Sequence, residues 1–91
     1  MKSLPINAKE YKRTPTFTED TIPKGLLRSH TTKAGTWGKI VIEEGKLLYR
    51  ILEPEIEEVQ LSTDKFGVVE PQVPHEVQAL GKVKFHVEFM N

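Results

Sequence analysis

Ninety-one residues with thirteen basic and thirteen acidic side chains and no net formal charge suffice for one domain with a modest core, residues 1–91, and are too few for a nucleotide-binding domain plus anything else. The charge balance argues against nucleic acid or an anionic membrane surface as a general partner, leaving small molecules and proteins. With no cysteine there is no disulfide framework, no thiol catalysis and no cysteine-type zinc site, so any metal needs His, Asp or Glu.

The first stretch, MKSLPINAKEYKRTPTFTED, is polar and carries Pro5 and Pro15, which predicts an extended arm over residues 1–14 and at most a short strand near Thr14 to Thr18. Tyr11 and Phe17 would anchor it. No signal-peptide core follows Met1-Lys2-Ser3-Leu4-Pro5, and no apolar run approaches the length of about 20 residues needed to span a bilayer, so a cytoplasmic protein is expected. Pro23 and Gly25 mark a turn, and Leu26 and Leu27 lead to His30 and the loop TTKAG.

From Thr36 to Ile42 and from Lys46 to Leu52 the chain is rich in β-branched and aromatic residues, with Glu43-Glu44-Gly45 between them. This pattern predicts a hairpin turning at Gly45. Ile40 and Ile42 share one face of its first strand, and Leu47, Tyr49 and Ile51 one face of its second. Ile56, Val59 and Leu61 have a less regular spacing that fits a bulged strand with a solvated, glutamate-rich face. From Lys82 to Phe89 the alternation is strict, with Val83, Phe85, Val87 and Phe89 on one side and Lys82, Lys84, His86 and Glu88 on the other. A two-residue turn at Leu80-Gly81 would complete a second hairpin and set His75 opposite His86. The sum is an all-β domain of short antiparallel strands, a sandwich or a barrel.

His75 and His86 would then be close enough to share a metal ion, and His30 would complete the set from a neighbouring strand. A plainer reading leaves His30 in an exposed loop and His86 on a wet face between Lys84 and Glu88, and no HxH, HxxxH or HExxH spacing is present. Glu70 is a candidate ligand or partner of a ligand. Arg28 and Lys33, with Thr31 and Thr32, surround His30 with donors suited to a small oxyanion. Trp37 suits core packing or stacking on a ligand, and Tyr49 or Glu70 are the only side chains offered as an acid or base. Serine chemistry and a phosphate loop are not indicated.

The runs TFTEDTIPKGLLRSHTTKAGTWGKIVIEEGKL and GVVEPQVPHEVQALGKVKFHVEF resemble the small cupin-like domain found at the start of some tellurite-resistance TehB proteins and, standing alone, in the bacterial YeaR group. The resemblance covers nearly the whole chain. It implies a cupin-like jelly-roll barrel, a homodimer and a pocket inside the barrel. His75, after Pro74, fits the second-motif histidine of cupins and Gly45 the glycine closing the first motif, while His30 stands near the first motif without a partner two residues on. TehB proteins that detoxify tellurite carry an S-adenosylmethionine-dependent methyltransferase domain, which these residues do not supply. The expectation is a metal-binding domain that handles or senses a small ligand in a tellurite or related stress response. His30, His75 and His86 would bind a divalent metal: zinc first, with iron, nickel or manganese as alternatives. A metal-dependent enzyme and a metal-free dimeric interaction module are the rival expectations, and whether the chain is an enzyme is left open.

Overall fold

The alternating segments form strands, but longer ones than their glycines suggest. In the computed structural model, which describes residues 1–91, β1 (Glu10–Arg13) and β2 (Phe17–Thr18) lead through a 3-10 turn at Lys24–Leu27 to β3 (Trp37–Ile51). β4 (Glu57–Leu61) and β5 (Gly67–Val69) then precede β6 (His75–Met90). The fold is all-β, and no helix is long and apolar enough to cross a membrane.

β3 and β6 are the spine. They run antiparallel from Trp37 opposite Met90 to Ile51 opposite His75. β1 and β2 pair with the outer side of β6, while β4 and β5 pair with the outer side of β3. No pairing joins these two flanks, so the six strands make one open antiparallel sheet ending at β1 and β4. The expected closed jelly-roll barrel is corrected accordingly. Both edges carry charge, Lys12 and Arg13 on β1 and Glu57 and Glu58 on β4, which discourages edge-to-edge aggregation.

Neither predicted hairpin forms. Between Ile42 opposite Phe85 and Glu44 opposite Lys84, β3 advances one residue more than β6; between Gly45 opposite Val83 and Leu47 opposite Ala79, β6 advances two more than β3. These are bulges, and they bend both strands at the same place. Gly45 and Gly81, at φ +81° and +89°, occupy the left-handed conformation there. One extra residue in β3 moves the buried face from Ile40 and Ile42 to Leu47 and Tyr49. Two extra in β6 leave the odd-numbered residues His75, Val77, Val83, Phe85 and Val87 buried on both sides of the bend.

Within the bend these faces close on each other. Ile40, Leu47, Tyr49, Leu61, Val69, Val83 and Phe85 are essentially sealed from solvent, each contributing about 1.5–3 kcal/mol through apolar burial. Phe17 of β2 packs edge-on against Phe85 with ring centroids 5.6 Å apart. Ile22 and Leu26, flanking and within the 3-10 turn, cover the same end.

Candidate functional site

The core is not filled at that end. A partly enclosed cavity of about 210 Å³ lies between the two halves of the bent sheet. β6 supplies Val77, Phe85, Val87 and Phe89; β3 supplies Gly38 and Ile40; Phe17, Pro23 and Leu26 form the cover. Its polar groups are His30, His75, Thr14 and Thr32. Most side chains reach it because they occupy the inward positions of strands, where period-two alternation directs them.

His30 and His75 are held together by backbone. The His30 amide donates to the His75 carbonyl at 2.7 Å and the His75 amide to the His30 carbonyl at 2.9 Å, an isolated antiparallel bridge. Their rings meet edge to face with centroids 5.5 Å apart, and Tyr49 sets its ring at 5.7 Å from that of His75. Burial holds the His75 pKa below the ordinary histidine value, against the Val73 carbonyl and with the help of His30. The ring is therefore neutral at pH 7. Its Nδ1 lies 3.2 Å from the Val73 carbonyl, which only an N–H can satisfy, so Nε2 carries the lone pair. No buried side-chain nitrogen or oxygen lacks a partner, and His75 lines the cavity.

His86 lies elsewhere. As an even-numbered residue of β6 it projects from the face opposite His75, with Nδ1 2.7 Å from a Glu43 carboxylate oxygen and Nε2 2.8 Å from one of Glu88. Two carboxylates accept only, so both nitrogens must carry hydrogen. Partial burial disfavours that charge, but the Glu88 and Glu43 bonds outweigh it and hold the pKa above the ordinary value. His86 has no lone pair for a metal, and no group of three or more His, Cys, Asp or Glu side chains is placed to hold one. The expected divalent metal, zinc or otherwise, is corrected on this geometry.

Of the remaining candidates, Tyr49 is buried and donates its hydroxyl to the Val68 carbonyl at 2.9 Å. Burial, with Glu57 and Glu70 adding, pushes its pKa far up, so it is no acid or base near neutral pH. Glu70 lies across a separate open cleft, 3.5 Å from the Lys2 ammonium. Trp37 is half-buried at the start of β3, opposite Met90, and lines neither space beside His30. Arg28 is exposed. Lys33 borders a shallow groove against the outer side of His30, where Lys12 and Tyr11 of the arm join it. Sequence reasoning missed Lys12 and the cover residues Pro23 and Leu26. Nothing in their local pattern signals the contact, because the chain pairing that brings them there is long-range.

These features define a small all-β domain with an open bent sheet and an apolar cavity ended by two imidazoles. The TehB-like domain model matches residues 12–87, and the chain belongs to the TehB-like family. Two proteins from strains of Haemophilus influenzae, each named probable S-adenosyl-L-methionine-dependent methyltransferase TehB, are 38% and 36% identical over 74 residues, 77% of this chain and 26% of theirs. The chain thus spans about a quarter of the length of the curated relatives it matches. The crystal structure of TehB from Haemophilus influenzae superposes with a TM-score of 0.84 at 33% identity, covering 91% of this chain and 31% of that one. A crystal structure of a protein from Escherichia coli K12 shares the fold, with a TM-score of 0.88 at 21% identity over 100% of this chain and 97% of that one.

These relatives overturn the expectation of a metal-binding cupin acting in tellurite or related stress, since the activity they are named for uses S-adenosylmethionine. That cofactor does not fit this chain's cavity. It carries a ribose diol, an aminoacyl group and a sulfonium, yet no carboxylate lines the cavity, whose 210 Å³ falls below the roughly 300–1,000 Å³ typical of drug-sized sites. The Glu70 cleft is larger; of its four carboxylates Glu57 and Glu70 are engaged by the Met1 ammonium and Lys2, while Glu53 and Glu55 form no ion pair.

Proposed function

We propose that this TehB-like domain is a small-molecule-binding module that serves methyl transfer carried by a separate catalytic domain or chain. The cavity between β3 and β6 takes the molecule, and the one observation that carries the reading is an apolar space ended by the neutral His75 ring. Phe17, Phe85 and Val87 bury its apolar part beside that ring. The names of the curated relatives support the link to methyl transfer; the cavity's size and lining support binding of a compound smaller than S-adenosylmethionine. An engineered apolar cavity of about 150 Å³ holds benzene, so this one takes a chain or ring of about six to eight non-hydrogen atoms.

A titration with 1-hexanol followed by amide and methyl NMR tests this. Expected are saturable shifts confined to residues around His75, Phe85 and Val87, with none on adding S-adenosylmethionine. Absence of hexanol shifts there, or saturable binding of S-adenosylmethionine to this chain, would overturn the reading.

A further inference from the structure

The cavity and the groove outside it share three residues, His30, Thr32 and Phe89. The two spaces therefore adjoin at these residues, and their chemistry differs sharply. Inside, the lining is almost wholly apolar. Outside, Lys12 and Lys33 lie with Thr31 and Tyr11, and no carboxylate lines the groove. In a chain with no net charge that is a local excess of positive charge. Neither lysine forms an ion pair, whereas Arg50 is paired with Glu58 and Glu76 and Arg13 with Glu10 and Glu88. The Glu70 cleft is the opposite case, bordered by Glu53, Glu55, Glu57 and Glu70.

From this juxtaposition we infer that the ligand is a short amphipathic monocarboxylate, its hydrocarbon part in the cavity and its carboxylate in the groove between Lys12 and Lys33. The inference rests on the reading that the cavity takes a small molecule, and it adds the charge and orientation of that molecule. The apolar interior excludes an anion, because a carboxylate there would lose its hydration without a cationic partner. The groove offers two ammonium donors and the Thr31 hydroxyl, while still open to water. His30, which lines both spaces, stands where head and tail of the ligand meet. Lys12 belongs to β1 and Lys33 to the loop before β3, so the binding residues come from separate segments and β1 must stay docked for the head group to be held.

Isothermal titration with hexanoate and with 1-hexanol separates this inference from the reading beneath it. At low salt hexanoate is expected to bind about three- to tenfold more tightly than 1-hexanol, the scale of two exposed ion pairs, and the advantage should shrink at high salt. The Lys12→Ala, Lys33→Ala double variant should bring the ratio to about one while leaving 1-hexanol affinity unchanged; both positions are exposed, and a thermal melt checks that the fold survives. Hexanol binding with no preference for hexanoate, or a preference that persists in the double variant, overturns the charged-head inference and leaves the cavity reading intact. Failure of both compounds to bind overturns both.

Discussion

His75 and His86 share a strand yet have pKa values shifted in opposite directions. Burial lowers that of His75, whereas the Glu88 and Glu43 bonds raise that of His86 against its partial burial. Their contributions to stability therefore run in opposite directions. His86, with its folded pKa raised above the ordinary 6.5, stabilises fully below that value and loses its contribution as pH rises through the folded pKa. His75, with its folded pKa lowered, contributes above the ordinary value, and that contribution is lost as pH falls through the folded pKa. In an NMR pH titration of the ring C–H signals, the His75 midpoint should lie below that of His86; the reverse order would contradict both assignments. His86→Gln should be less stable than the parent in acid, with the gap in urea midpoint narrowing as pH rises. A gap that is constant with pH would show that the Glu43 and Glu88 bonds act without the charge. None of this was legible in the sequence. Lys84 and Glu88 flank His86 on its face, but the Glu43 partner comes from β3, and only the strand register supplies it.

At the scale of the element, the two glycine-marked hairpins became two bent strands. A positive φ serves a turn or a bulge equally well, so Gly45 and Gly81 by themselves select neither. The apolar pattern held more information than the turn residues. A two-residue turn at Leu80-Gly81 would set Gln78 opposite Val83 and Glu76 opposite Phe85, while Val77 and Ala79 would face away from the core. An even-numbered insertion keeps all the odd residues together, and that is what β6 contains. The two glycines differ in what surrounds them. A Cβ at Gly45 would stand 2.0 Å from the Lys82 carbonyl oxygen, whereas at Gly81 it would meet nothing within 4 Å. Gly45→Ala should therefore cost about 3 kcal/mol or more, and Gly81→Ala only the conformational strain of about 1–2 kcal/mol. Urea unfolding of the two variants measures both, and equal losses would mean that the close approach at the bend does not constrain Gly45.

The whole molecule is held by the long β3–β6 pairing, whose partners are far apart in sequence, and no group of three or more His, Asp or Glu side chains is placed to hold a metal. Stability should accordingly be independent of chelation. A bound metal at 100-fold its Kd would add about 2.7 kcal/mol, roughly 10–20 °C in Tm for a chain of this size; scanning calorimetry with and without EDTA should show no such shift, and a drop of that order would restore a metal site. The sequence by itself determined the all-β class, the β-forming segments of β3, β4 and β6, the inward face of the last strand and the TehB-like resemblance. Those rest on local alternation and composition, which a single chain carries along its length. Only the tertiary structure decided that the glycines bend strands instead of ending them and that His75 pairs with His30 instead of His86. It also decided that an apolar cavity adjoins Lys12 and Lys33, because each of these depends on strand register between residues that local pattern cannot relate.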